Sequence, residues 1–228
     1  MNILIIGATS GIGKRLWKHY SSTGNKVSIM GRRYDVLNEM AMADPDTTLP
    51  FPCDIADHHT FNSAFSCMID KLTNIDLVIL CAGIGELNPD LDIETELYTL
   101  KVNVEGWTNC VDTAYNQFKK QGFGHLVTVT SVGGLQPTPI APSYSASKAF
   151  QINYTKSLQK VSKDNGVIIT EIRPGLIDTR MAKGNGLFWV MSPDRVAASI
   201  VKAIEKKRKR SIIDCRWRLI NFFLKHFQ

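Results

Sequence analysis

Ile6-Gly7-Ala8-Thr9-Ser10-Gly11-Ile12-Gly13 is the stretch on which the fold is decided. It follows the apolar run Ile3–Ile6 and opens a segment of helical length, 12–23. The glycine spacing is GxxxGxG. Gly7 lets the chain leave a strand in a tight turn. Gly11 and Gly13 leave room for a pyrophosphate to approach the backbone and for the helix to pack close to the sheet. The start of that helix offers free N–H groups and the positive end of its dipole to phosphate. Three glycines could simply serve turns. Their placement, after an N-terminal strand and before a helix, is what nucleotide binding demands.

Outward from this loop the same alternation continues. Val27–Met30, Ile75–Leu80, Leu126–Thr130 and Val167–Ile172 are short, β-rich and mostly free of charge, and Leu49–Phe51 and Ser211–Ile213 are weaker strand candidates. Strands apolar on both faces suit a parallel sheet covered on both sides. Segments of helical length lie between them, at 33–43, 57–72, 92–120, 142–163 and 193–208. Asp57 is a candidate cap for the third helix, and Ser192-Pro193 reads as an N-cap with proline at the first helical position. Right-handed β-α-β crossovers then predict an α/β fold: a doubly wound, Rossmann-like parallel sheet with helices on both faces. We expect one domain over residues 1–215 and a basic amphipathic tail over 216–228.

Composition narrows the function. The 228 residues are 44% hydrophobic and 21% charged, which excludes disorder and collagen-like structure. No run approaches the about 18–20 apolar residues that span a bilayer. The first residues carry neither a basic leader nor a small-residue cleavage site, so a cytoplasmic location is expected. Five cysteines, an odd count without CxxC spacing, indicate neither a zinc site nor a disulfide framework, and no metal is expected. The net charge of +6 is concentrated in residues 202–228, with nine Lys/Arg against two Asp/Glu. The other 201 residues carry 18 against 19, so the body needs no nucleic-acid reading. The tail places Trp217, Ile220, Phe223, Leu224 and Phe227 at the spacing of one helix face. Such a helix can lie on an anionic membrane, but packing on its own domain or on a neighbouring subunit is preferred.

Two further sites carry chemistry. The second strand ends in Gly31-Arg32-Arg33, where an acidic residue would serve a bare ribose 2′-OH. Two guanidinium groups suit a 2′-phosphate, so NADP(H) is expected over NAD(H). Tyr144 and Lys148 stand four apart in Tyr-Ser-Ala-Ser-Lys, on one face of a helix. An ammonium there is expected to lower the tyrosine pKa and let the phenol trade a proton near neutral pH. Ser131 follows the strand Leu126–Thr130, at the sheet end that borders the ligand crevice. Each feature alone has a dull explanation. The ordered set of phosphate loop, Ser131, Tyr144 and Lys148 is much less accidental.

On these residues the sequence resembles the short-chain dehydrogenase/reductase family in its single-domain form, over essentially residues 1–200. The resemblance extends to Asp54-Ile55 after the third strand, which it places at the adenine. It also extends to Ala82-Gly83 after the fourth strand, and to Asn103, which would complete a catalytic tetrad with Ser131, Tyr144 and Lys148. Pro174-Gly175, with Ile177 and Thr179 beyond, looks like the segment that holds the nicotinamide carboxamide. Ile6, Leu80 and Cys81 depart from the family's pattern at positions whose side chains brace the sheet and the turn.

The resemblance implies hydride transfer between a nicotinamide and a carbonyl or alcohol. Ser131 and Tyr144 would hold the substrate oxygen, Lys148 the nicotinamide ribose, and Asn103 a water linking Lys148 to solvent. A hydrophobic ketone, aldehyde or secondary alcohol is the expected substrate, covered by the segment Arg180–Met191 with its glycines Gly184 and Gly186. Met181, Leu187, Phe188 and Trp189 either line its pocket or pack on a helix. The family also implies a homodimer or homotetramer. The alternative is a catalytically silent NADP(H)-binding sensor of the same fold, against which the intact tetrad argues.

Overall fold

The computed structural model describes residues 1–178, 189–214 and 216–217. Among the described residues are seven parallel strands: β1 Asn2–Ile6, β2 Lys26–Gly31, β3 Thr48–Pro52, β4 Leu77–Leu80, β5 Gly124–Val129, β6 Val167–Arg173 and β7 Arg210–Ile212. They pair in the order β3-β2-β1-β4-β5-β6-β7. All six pairings are parallel. The helices are α1 Gly11–Ser22, α2 Tyr34–Ala43, α3 His58–Leu72, α4 Ile93–Leu100, α5 Trp107–Gln121, α6 Pro142–Val161 and α7 Pro193–Glu205.

The expected strands hide their side chains on both faces, as parallel crossovers require. Ile3, Ile5, Val27, Ile29, Leu77, Ile79 and Val127 point to one face, where they meet Leu16 and Trp17 of α1, Leu37 of α2 and Val196 and Ile200 of α7. Their neighbours Leu4, Ile6, Met30, Val78, Leu80 and Leu126 point to the other. There they meet Phe61 and Phe65 of α3 and Trp107, Val111 and Phe118 of α5. The strand period of two thus feeds two separate cores from one strand. Both weak strand candidates are real and lie at the sheet edges. β3 carries Pro50 and Pro52, which lack an N–H and are tolerated because β3 pairs on one side only.

Helix ends follow local chemistry. Asp57 accepts hydrogen bonds from the backbone N–H of His59 and Thr60, and Ser192 accepts one from Arg195 ahead of Pro193. The single long helix expected over 92–120 is corrected. α4 and α5 are joined by a π-helical turn, Lys101–Gly106, which shifts the backbone ladder and frees carbonyls for other partners. At its end the chain runs so close to the loop after β3 that a side chain on Gly106 would lie 2.3 Å from the Ile55 carbonyl oxygen.

Among the described residues no helix is long and apolar enough to cross a membrane, and no group of three or more potential ligands could hold a metal ion.

Candidate active site

The sheet order reverses between β1 and β4, and the loops leaving these two strands mark the crevice at the carboxyl ends where sheets of this order take their ligands. Gly7 and Gly13 are steric necessities there. A Cβ on Gly13 would meet the Gly7 carbonyl oxygen at 2.2 Å, and one on Gly7 would meet the Ala82 nitrogen at 2.6 Å. Gly7 and Gly11 also take positive φ, +88° and +52°. Ser10 caps α1 in an extended conformation without a side-chain hydrogen bond to the helix, and the first turn holds no acidic residue. That end therefore presents its N–H groups and positive dipole uncompensated, which fits a pyrophosphate. Ile12 packs against the core from the first turn.

Of the two arginines at the end of β2, Arg33 reaches the phosphate loop and Arg32 turns towards the loop after β3 and α4. Arg33 clamps the Thr9 hydroxyl through Nη2 at 2.6 Å and Nε at 3.1 Å. Arg32 donates to the Tyr98 hydroxyl at 2.6 Å and lies 3.9 Å from the Asp54 carboxylate. Asp54 also accepts the Ala56 N–H at 3.0 Å, and the Ile55 side chain is buried in the core. Two cations thus flank the place where a ribose substituent would sit if a dinucleotide lay along the crevice.

The catalytic candidates converge at the ends of β4, β5 and the start of α6. Ser131 follows β5 and accepts the Gly133 N–H at 3.0 Å, and its hydroxyl faces the Tyr144 phenol closely enough to favour the ionised form. A Cβ on Gly133 would lie 3.3 Å from Ser131 Oγ and 3.4 Å from the Tyr144 ring. One on Gly85 would lie 2.7 Å from the other side of that ring. Two glycines therefore sandwich the phenol, and neither was singled out by the sequence reading. The β5 and β6 ends are stitched beneath them. Thr130 donates to Glu171, which takes Arg173 bidentately in a fully buried pair, and the Val132 N–H donates to the Pro174 carbonyl.

The expected lowering of the Tyr144 pKa by Lys148 is corrected. Burial pushes the phenol above its ordinary value, and the Ser131 hydroxyl offsets this only in part. The reason is geometric. The Lys148 ammonium sits over the ring face, 5.8 Å from its centroid, and donates to Gln151 Oε1 at 2.9 Å. Burial lowers Lys148 to about 8. Cys81, facing Lys148, is pushed up to about 12 by its own burial and stays a thiol.

Asn103 lies in the π turn and does two jobs. Its side chain pairs with the backbone of Ile84, accepting the N–H at 2.9 Å and donating to the carbonyl at 2.7 Å. This fastens the Ala82–Gly83 turn, so the bracing put in doubt by Leu80 and Cys81 comes from across the crevice. Its backbone carbonyl accepts the Gln151 amide at 2.8 Å. The Gln151 side chain joins Lys148 to Asn103 directly, because it lies one turn beyond Lys148 on the same helix face.

Helix α6 begins without a cap from its own residues, and Glu96 of α4 supplies one. Its carboxylate accepts the Ser143 N–H at 2.9 Å and the Asn88 amide at 2.7 Å. Replacing Glu96 by Ala is expected to cost about 1 kcal/mol and to lower the Tm by roughly 2–4 °C. Thermal unfolding should show Glu96→Gln, which keeps an acceptor, losing less. Equal losses would deny the cap.

On the far side, Gly175 lies under the Trp217 indole: a Cβ there would be 2.1 Å from Nε1. Trp189 meets Trp217 edge-to-face at 6.0 Å, with the Arg216 guanidinium 5.6 Å over Trp189. The first tail residues therefore pack on the body. Ile177 bridges to Met191. Thr179, the segment Arg180–Phe188 with Gly184 and Gly186, and the tail from residue 218 lie outside the described residues.

The profile of the short chain dehydrogenase family matches residues 1–187. The chain belongs to the short-chain dehydrogenase family. An uncharacterized oxidoreductase of Staphylococcus epidermidis is 30% identical over 205 residues, covering 88% of this chain and 89% of that protein. Among solved structures, a short-chain dehydrogenase from Burkholderia cenocepacia, in complex with NADP, aligns with a TM-score of 0.87 at 23% identity over 99% of this chain and 93% of its own. The serine dehydrogenase of Escherichia coli aligns with a TM-score of 0.79 at 22% identity, over 89% and 90%. This short-chain dehydrogenase is thus an oxidoreductase by family and shares its fold with both structures.

Proposed function

We propose that this short-chain dehydrogenase uses NADP(H) and interconverts a carbonyl and an alcohol on a hydrophobic substrate: a ketone, an aldehyde or a secondary alcohol. The observation that carries the reading is the gathering of Tyr144, Ser131 and Lys148 at the crevice beside a glycine-lined helix start without a side-chain cap bond. When bound, the nicotinamide supplies or accepts the hydride.

Gly7, Thr9, Ser10, Gly11, Ile12 and Gly13 would hold the pyrophosphate, and Arg32 and Arg33 the 2′-phosphate. Asp54 and Ile55 would border the adenine. Ala82, Gly83 and Lys148 would hold the nicotinamide ribose, and Pro174, Gly175, Ile177 and Thr179 the carboxamide. In the reductive direction Ser131 and Tyr144 would hydrogen-bond the substrate oxygen. Tyr144 then gives up its proton as negative charge develops there. Its burial suits this part, because a phenol held above its ordinary pKa stands protonated at neutral pH. Lys148 stabilises the phenolate left behind. Asn103 holds the turn on which Ala82 and Gly83 lie. The Burkholderia relative's NADP supports the choice of coenzyme. Exposed Ile93 and Leu97 on α4 support assembly into a homodimer or homotetramer.

A panel of hydrophobic ketones, aldehydes and secondary alcohols, followed by nicotinamide absorbance, tests the reading. NADPH-linked turnover of at least one class is expected. Tight NADPH binding with no turnover across the panel would instead make the protein a sensor. Absence of NADPH binding would end both readings.

A further inference from the structure

Gln151 is fully buried, and its side chain spends both ends inside the site. Its amide oxygen accepts from the Lys148 ammonium at 2.9 Å, and its amide nitrogen donates to the Asn103 carbonyl at 2.8 Å. That carbonyl belongs to the π turn. Tyr144, Lys148 and Gln151 lie at i, i+4 and i+7 on α6, one stripe of the helix turned towards the crevice. Among the described residues two titratable groups face Lys148. Tyr144 comes from its own helix and Cys81 from the end of β4. The π turn contributes only the neutral Asn103.

We propose that Gln151 is a positioning residue of this short-chain dehydrogenase: its amide aims the Lys148 ammonium at the crevice and ties it to the π turn in place of a mobile hydrogen-bond relay. This rests on the oxidoreductase reading above and deepens it. A lysine ammonium has three N–H groups. One is committed to Gln151 Oε1, so the other two are directed to the remaining side, where the ribose and the phenol are expected. An amide differs from water in a way that matters. It accepts at oxygen and donates at nitrogen but does not pass a proton from one to the other without becoming an imidic acid. The contact behind Lys148 therefore steadies charge without conducting protons.

The test reads the Lys148 ammonium directly, by NMR of the coenzyme-free protein labelled with 15N-lysine, in the wild type, Gln151→Leu and Gln151→Glu. Leu removes the acceptor and should lower the Lys148 titration midpoint; Glu places a carboxylate there and should raise it. The two variants should differ by at least about tenfold in the lysine ionisation constant, about 1.4 kcal/mol. The same order should appear in the alkaline limb of kcat for any substrate found. Identical Lys148 midpoints in all three folded proteins would overturn the proposal. Should Gln151→Leu fail to fold, the wild type crystallised with NADPH decides. Gln151 still bridging Lys148 and Asn103 supports the proposal, and a water between them with the amide turned away overturns it. Neither readout needs turnover, so a failure here is distinguishable from a failure of the oxidoreductase assignment.

Discussion

Tyr144→Phe is expected to remove turnover, by about 10²–10⁴-fold in kcat, the usual contribution of a positioned acid-base group. The loss should be chemical rather than structural. The ring is held by contact with Gly85 and Gly133, and phenylalanine keeps those contacts. What disappears is the hydroxyl whose ionisation Ser131 favours. NADPH affinity should change by less than about twofold, because the substitution leaves the glycine loop, Arg32 and Arg33 untouched. Steady-state kinetics beside a fluorescence titration of NADPH separates the two quantities. Substantial residual turnover in the variant would reject Tyr144 as the proton donor.

Arg33→Ala is expected to cost about 10–100-fold in kcat/KM for NADPH, the range of one or two charge-assisted hydrogen bonds at about 1.5–3 kcal/mol. NADH should be affected little, since it carries no 2′-phosphate. Arg33 is the sharper choice of the two arginines. It already grips Thr9 within the phosphate loop, so its guanidinium is held at the site before any ligand arrives. Arg32 is drawn towards Tyr98 and Asp54 and should show a smaller loss on the same substitution. Raising salt should narrow the difference between the coenzymes. Equal efficiency with NADPH and NADH in the wild type would refute the arginine argument.

Burial made most of the fold readable. Ile3–Ile6 and Leu77–Leu80 are apolar without interruption because helices cover both sides of those strands, and that pattern survives in the sequence. The caps at Asp57 and Ser192 were readable because capping is local. The π turn was not. Its bonding depends on Gly106 passing the Ile55 carbonyl and on Gln151 reaching the Asn103 carbonyl, contacts made by residues remote in the chain.

The site divides in the same way. The YxxxK spacing put Tyr144 and Lys148 on one face, and the structure keeps them there. Their electrostatics are not legible in the sequence, because spacing reports neither burial nor which acceptor the ammonium chooses. Gln151 carried a readable signal, seven residues after Tyr144 on the same helical stripe. Glu96 carried none, since capping a helix from a different helix leaves no local trace.

The indole resting on Gly175 comes from residue 217, whereas the glycine cradle comes from residues 7–13. A ribosome therefore delivers the two ends of this site at opposite moments of synthesis. A nascent chain stalled after β6 would already own the cradle and the phenol but lack the aromatic cover over Gly175.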